Sequence, residues 1–168
     1  MKFILNIIVV GIVLTTLVFL YQNYSNDIMS GFSSSDTLFT VYVDTVTMTV
    51  TVADSHDERV QGLSGVKDLP DLGGKLLIFD KEQQHGIWMK DMQFSIDVMW
   101  FNNDLELIYI EEQISPNSYP NVFAPPEDAR FVLEANANLV KALNIQLGDR
   151  LILPSSILPT DVKKRLQQ

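Results

Sequence analysis

The sequence predicts an α+β domain that is mostly β: a compact, barrel-like or folded sheet with two or more short helices, preceded by one transmembrane helix. Apolar residues and threonines alternate from Val46 to Val52, and a period of two with β-branched side chains indicates a half-buried strand. Further short apolar runs are bounded by turn residues, whereas only two stretches have helical composition. An uncharged apolar run at the N terminus predicts the membrane helix.

The N-terminal run, residues 3–21, contains no charged residue, and its only polar residues are one asparagine and two threonines. It matches the roughly 20 apolar residues that cross a bilayer as a helix, so residues 1–21 are predicted to be a transmembrane anchor. A cleaved signal peptide is the alternative. Such peptides have a shorter apolar core and small residues at the cleavage site, which the sequence after Tyr21 lacks.

The charges beside the apolar run predict its orientation. Lys2 precedes the run, and the first charge after it is Asp27. Because cytoplasmic flanks carry an excess of basic residues, the N terminus is predicted to be cytoplasmic and the rest of the chain extracytoplasmic. The localisation expected from the sequence is therefore the cell membrane, in a single pass.

Composition divides the remainder of the chain into three parts. Residues 22–37 are rich in asparagine, serine, aspartate and glycine and are predicted to be a flexible linker. Residues 38–154 are predicted to be the globular β-rich domain, and residues 155–168 form a C-terminal tail interrupted by proline, with no assigned structure. Residues 38–168 are expected to fold alone.

The elements of the domain follow from turn and cap residues. Two strands joined by a turn at Asp44–Thr45 open the domain. A helix follows, because Asp54 or Ser55 can cap its start, acidic residues occupy its first turn, and Gly62 or Gly65 can end it. The remaining predictions are strands at residues 75–80, 87–89, 96–101, 105–112, 130–134 and 151–153, a proline-rich loop at 115–128 and a helix at 135–143.

Charge and composition exclude several classes of partner and site. The net charge of −9 disfavours nucleic acid, whose binding requires basic residues that neutralise phosphates. The chain contains no cysteine, which excludes disulfides, thiolate catalysis and cysteine-based zinc sites. His56 and His85 are too far apart in sequence to form a recognisable metal-ligand motif, so neither a metal nor a cofactor is predicted.

The composition of the stretch from His85 to Phe101 indicates that function is located there. It contains both tryptophans, together with Lys90 and Asp97 among large apolar residues. We expect Trp88 and Trp100 to be buried and Lys90 to lie beside the Trp88 ring, because residues two apart on a strand share a face. Lys90 and Asp97 are expected to be among the polar groups that reach the surface or a cleft.

Five residues are candidates for binding a ligand or partner, and each has a structural alternative. Lys90 either contacts an acidic group with Asp97 orienting it, or the two pair across a strand edge or lie apart in solvent, which is favoured. Arg59 is expected to pair with a carboxylate such as Asp97 or Glu134, more as a tie between helix and sheet than as a ligand contact. Glu134 is a general base or, preferably, a structural acceptor. Trp88 is more often a core residue than a binding platform.

Four blocks in this sequence resemble, in the same order, the blocks of the bacterial and archaeal family known as domain of unknown function 192. The blocks are residues 52–63, residues 88–92 with 96–97, residues 130–137 and residues 147–150. The resemblance covers about residues 46–153 and implies a compact β-rich domain with short helices and no established activity. The chain departs from the family pattern at Asp91–Met92, where Asn-Thr is common, and at residues 63–65, where a basic residue is missing.

Two functional classes remain open on the sequence alone. The favoured one is a membrane-anchored binding or accessory module of the cell envelope, of unknown biochemical activity, with an envelope protein or small ligand as its partner. The alternative is a small pocket enzyme that uses Lys90 with Asp97 or Glu134. The enzyme would require these polar side chains to converge on one concave site.

Overall fold

The computed structural model describes residues 12–22 and 31–167. Residues 12–22 are helical. The rest of the predicted anchor, residues 1–11, and most of the predicted linker, residues 23–30, lie outside the described residues. Within the described ranges, none of the helices combines the length and the apolar character needed to span a bilayer.

The domain consists of nine strands and three short α-helices among the described residues. The strands are β1 (Phe39–Val43), β2 (Val46–Ala53), β3 (Gly73–Gln83), β4 (Ile87–Trp88), β5 (Ile96–Phe101), β6 (Leu107–Ile114), β7 (Val122–Phe123), β8 (Ala129–Asn136) and β9 (Leu151–Ile152). The helices are α1 (His56–Gln61), α2 (Leu139–Ala142) and α3 (Thr160–Arg165). The prediction of a mostly β domain with few short helices is confirmed.

Seven of the strands form one curled sheet in the order β6-β5-β8-β3-β2-β1-β9, and β4 and β7 form a separate two-stranded ribbon. β2 and β3 are parallel and are joined through α1, whereas the other neighbours in the sheet are antiparallel. The two ends of the sheet approach each other, because the backbone N–H of Leu107 donates to Asp149 over 2.8 Å and that of Leu151 donates to Leu105 over 2.8 Å. The sheet curls into a half-barrel, and these two hydrogen bonds lie where its ends come together.

Alternation along the strands gives the sheet two apolar faces. On β8, Phe131 and Leu133 pack in the cluster inside the half-barrel, whereas Val132 belongs to a second cluster on the outer face. Residues from the segments 63–69 and 87–94 pack on that outer face and form a second layer. Glu134 follows Val132 by two residues, so its side chain is directed to the outer face and beneath this layer.

Helix α1 begins and ends as its sequence predicts. The Ser55 side chain accepts from the backbone N–H of Glu58, and the Glu58 carboxylate accepts from the backbone N–H of Ser55, which together make a capping box. Gly62 ends the helix, and its N–H donates to the Glu58 carbonyl. The predicted choice between Gly62 and Gly65 is thus settled in favour of Gly62.

Two sequence-based assignments near the C terminus differ from the structure. β8 continues to Asn136, so the predicted helix over residues 135–143 is reduced to the four residues of α2, after a left-handed residue at Asn138 (φ 71°). Beyond the predicted domain end, α3 places Val162 in the inner cluster with 1 % exposure. Asp161 on the same helix forms an ion pair with the buried Arg130 of β8.

Candidate functional site

A cavity of about 580 Å³ lies between the outer face of the sheet, the end of α1 with the loop after it, and the β4–β7 ribbon. Its apolar wall consists of Val60, Leu63, Leu77, Phe79, Ile87, Trp88, Met92 and Val122. Its volume falls within the roughly 300–1,000 Å³ that is typical of small-molecule sites. Three predicted candidates, Arg59, Trp88 and Glu134, line this cavity.

Glu134 is the most unusual group in the cavity. It is only 4 % exposed, and its Oε2 atom has no hydrogen-bond partner among the described residues. Burial raises the pKa of Glu134 to about 7, against the opposing effects of the Lys75 charge and a hydrogen bond from the Leu63 backbone. A buried acceptor left without a partner is costly, and native structures contain few of them.

Gly62 allows the Glu134 carboxyl group to occupy this position. A Cβ atom on residue 62 would lie 3.1 Å from Oε2 and 3.2 Å from Oε1 of Glu134. The backbone of Gly62 also has φ 51° and ψ −126°, a conformation that side chains other than glycine rarely adopt. The glycine that ends α1 is therefore also the wall against which the carboxyl group packs.

The stability of the domain is expected to fall as the pH rises through the pKa of Glu134. The carboxyl group has a pKa of about 7 in the folded state, against 4.5 as its ordinary value, so the folded state binds the proton more tightly. This contribution is fully present below pH 4.5, decreases as the pH rises and is lost above about pH 7. It amounts to a free energy on the order of 3 kcal/mol.

Urea unfolding of residues 38–168 between pH 5 and pH 8, with the wild type beside Glu134→Gln, measures this effect. The difference between the two proteins isolates Glu134, because the other titrating groups are common to both. The wild type should lose stability relative to the variant as the pH rises. A difference that stays constant with pH would show that the carboxyl group titrates normally.

Arg59 holds α1 against the sheet. Its Nη1 atom donates to the Asp54 carbonyl and, over 2.9 Å, to the Ile78 carbonyl of β3. Its Nη2 atom lies 3.5 Å from the Asp80 carboxylate, and its guanidinium lies over the Phe79 ring at 5.2 Å. The prediction of Asp97 or Glu134 as its carboxylate partner is wrong, since the polar groups of β3 are closer to the end of its side chain.

His85 also forms part of the cavity wall, although it is not among the five candidate residues. Its ring stacks on Phe79, with centroids 3.5 Å apart and an angle of 9° between the planes. Nε2 lies 2.9 Å from the Lys81 carbonyl, which can only accept, so Nε2 carries the proton. Burial is the main cause that lowers the pKa of His85, which keeps the ring neutral at pH 7. The ring is therefore a fixed, uncharged part of the wall.

Trp88 lies at the mouth of the cavity and is 39 % exposed, so the prediction of its burial is wrong. The reason is that β4 is only two residues long and pairs with β7 in the ribbon, outside the main sheet. Lys90 lies beside Trp88 as predicted, with its ammonium 5.6 Å from the Trp88 ring centroid. The Tyr119 ring packs against the Trp88 ring, with centroids 6.2 Å apart. Trp100 is fully buried, as predicted.

Asp97 does not belong to the cavity. It is fully buried on β5 and accepts from the backbone N–H of Gln113 over 2.8 Å and from that of Val140 over 3.0 Å. No ion pair joins it to Lys90 among the described residues. The expectation that Asp97 reaches the surface or a cleft is wrong, because every residue of β5 is buried and the carboxylate bonds to the backbone around it.

The polar groups of the cavity therefore differ from the predicted constellation. Arg59 and Glu134 line it, Lys90 lies beside its mouth over Trp88, and Asp97 lies elsewhere. Across residues 12–22 and 31–167, no group of three histidine, aspartate or glutamate side chains is arranged to hold a metal ion. The arrangement places one buried carboxyl group in a cavity with an apolar wall and several polar side chains, and the Lys90 charge lies beside its mouth.

A family model named DUF192 and described as "Uncharacterized ACR" matches residues 39–153. The chain belongs to the DUF192 family. The matched residues extend from β1 to just beyond β9 and include every residue that lines the cavity. No curated protein is similar enough in sequence to match.

Two solved structures resemble this DUF192 domain. A Sinorhizobium meliloti protein described as a "putative transcription regulator" is 28 % identical, with a TM-score of 0.67 over 71 % of this chain and 95 % of that one. A Novosphingobium aromaticivorans protein of unknown function is 20 % identical, with a TM-score of 0.66 over 71 % of this chain and 88 % of that one. At that identity the second likeness concerns the fold alone.

Proposed function

We propose that this DUF192 protein is a membrane-anchored, extracytoplasmic binding module of the cell envelope and that the cavity over Glu134 is its ligand-binding site. The observation that carries the binding role is the Oε2 atom of Glu134, which is buried, lines a cavity and has no partner in the described part of the chain. A ligand that donates a hydrogen bond to this atom would satisfy it and remove the desolvation penalty.

The ligand enters past Trp88 and Lys90. Trp88 is half exposed at the mouth, and an aromatic ring in that position offers a large contact area with little loss of conformational entropy. Lys90 is exposed, and its charge lies over the Trp88 ring without a carboxylate partner among the described residues. Both residues are therefore available to a ligand or to an envelope partner that carries it.

A pocket enzyme receives less support from the same geometry. Acid–base catalysis in the predicted form requires Lys90 together with Asp97 or Glu134, and Asp97 is engaged by two backbone N–H groups outside the cavity. Glu134 has a pKa of about 7, which suits a general acid or base. The predicted pair of Lys90 with Asp97 does not converge on the cavity, so ligand recognition is favoured over the predicted enzyme.

A role in transcription is not extended to this chain from its Sinorhizobium meliloti neighbour. The net charge of −9 disfavours binding to DNA, because that binding requires basic residues that neutralise phosphates.

Ligand-observed NMR with a library of small polar molecules tests the binding role. The full-length protein is compared with Glu134→Gln and with Glu112→Gln, an exposed carboxylate on β6 outside the cavity. Because Oε1 is the oxygen left to accept from the Leu63 backbone, the glutamine would place its amide donors where Oε2 lies. Compounds should bind to the wild type and to Glu112→Gln and lose affinity for Glu134→Gln. A library without any Glu134-dependent binder contradicts the proposal.

The membrane anchor has a separate test. If residues 3–21 span the bilayer, the full-length protein should stay in the membrane pellet after a carbonate wash, because only integral segments resist it. A variant that begins at residue 22 and carries a cleavable export signal serves as the matched control and should be soluble. Release of the full-length chain, or of a shortened form of it, would contradict an uncleaved anchor.

A further inference from the structure

The cavity offers hydrogen-bond donors and acceptors in a mixture that suits hydroxyl groups. Oε2 of Glu134 is an acceptor without a partner, and the Gln61 and Gln83 side-chain amides, each both donor and acceptor, line the cavity. Among the described residues, neither amide side chain is engaged in a hydrogen bond that would fix it. A hydroxyl donates one hydrogen bond and accepts others, so it can pair with each of these groups.

The cavity is lined by ionisable side chains of both signs. Arg59 and Lys81 are opposed by Asp80 and Glu134, and the guanidinium of Arg59 is already engaged by Asp80 and two backbone carbonyls. A phosphate would face the Asp80 and Glu134 carboxyl groups, and a polyamine would face two cations, of which Lys81 has no ion-pair partner among the described residues. This mixture of signs favours a ligand that carries no net charge.

The mouth of the cavity adds an apolar aromatic contact. Trp88 is both part of the lining and 39 % exposed, and Leu63, Ile87 and Met92 continue the apolar wall inward from it. The negative face of an indole ring attracts the weakly positive C–H groups of a saturated ring. A ligand that fits must therefore combine a saturated C–H face with several hydroxyl groups at its edge.

We propose that the ligand is a neutral saccharide unit, whose C–H face packs on Trp88 and one of whose hydroxyl groups donates to Oε2 of Glu134. The inference rests on the proposed binding function of the cavity. The cavity of about 580 Å³ accommodates a saccharide ring, and its mouth at the exposed Trp88 leaves room for the sugar to be the end of a longer chain.

Binding of a matched set of sugars to the full-length protein tests the class. Saturation-transfer NMR is used with the protein in a detergent without a sugar headgroup, since a glycosidic detergent would compete. Glucose, galactose, mannose and N-acetylglucosamine are the neutral probes, and glucosamine and glucuronate repeat the glucose ring with a positive and a negative charge. The affinities for chitobiose and for N-acetylglucosamine are compared, to distinguish binding of the end of a longer chain from binding of a free monosaccharide.

At least one neutral sugar should bind, at least tenfold more tightly than glucosamine and glucuronate do. Glu134→Gln and Trp88→Ala should each weaken that binding about tenfold or more, which corresponds to about 1.4 kcal/mol, and Glu112→Gln should leave it unchanged. Failure of all four neutral sugars, or binding that neither variant weakens, overturns the saccharide assignment. If non-sugar molecules still bind in a Glu134-dependent way, the proposed binding function stands and only the saccharide assignment is wrong. If the library also contains no such binder, the binding function and the saccharide assignment are both wrong.

Discussion

Replacement of Trp100 with alanine is expected to lower the free energy of unfolding by about 3–5 kcal/mol, because it opens a large cavity in the outer-face cluster. Trp100 has no exposed surface, and its Nε1 donates to the His85 carbonyl over 2.8 Å. The variant therefore loses both the ring contacts and the hydrogen bond. Since His85 is part of the cavity wall, the substitution should also disturb the candidate site.

Trp88→Ala is the matched comparison, with the same chemical change at a residue that is 39 % exposed. Its cost should be about 1–2 kcal/mol, because the partly exposed ring removes less apolar surface from water. Guanidinium unfolding of residues 38–168 measures both changes, and similar slopes with denaturant would show that the unfolded states are comparable. Equal losses for the two tryptophans would contradict their placement.

The two tryptophans show what alternation along a strand can predict. Trp100 lies within the six-residue β5 of the main sheet, where both faces are covered and every residue is buried. Trp88 follows the same kind of apolar pattern, but its strand has two residues and pairs outside the main sheet. Burial depends on which strand pairs with which, and residues 85–101 contain no information about the partner β7.

Only part of the candidate site can be predicted from the sequence, for a similar reason. Residue type identifies Arg59 and Glu134 as candidates, and both line the cavity. The Glu134 carboxyl group packs beside Gly62, which is distant from it in the sequence and has no side chain to displace it. The glycine was predicted only as a helix end. No local pattern signals that it also makes room for a carboxyl group.

The C-terminal segment illustrates a limit set by length. The prolines at 154 and 159 suggested a broken tail, yet α3 lies between Thr160 and Arg165 and places Val162 in the inner cluster. A six-residue helix is too short to show a clear apolar period. Its position depends on a tertiary ion pair: Asp161 meets Arg130, whose Nε also donates to the Phe79 carbonyl over 3.0 Å. The guanidinium beside it lowers the pKa of Asp161.

Replacement of Asp97 with alanine is expected to lower the free energy of unfolding by about 3–6 kcal/mol. Its carboxylate accepts from the N–H groups of Gln113 and Val140, and hydrogen bonds to a charged group contribute about 1.5–3 kcal/mol each. The substitution leaves both donors without an acceptor at a fully buried position. Asp97→Asn keeps one carbonyl oxygen and should cost about half as much.

Lys90 provides the control for this interpretation of Asp97. Lys90→Met should change stability by less than about 0.5 kcal/mol, because the lysine is exposed and pairs with no carboxylate among the described residues. The double variant Lys90→Met/Asp97→Asn should then lose the sum of the two single changes, within about 0.5 kcal/mol, since the residues share no partner. If Lys90→Met destabilises the domain and Asp97→Asn restores it, the two residues form a structural pair, and Asp97 is not held by the backbone alone.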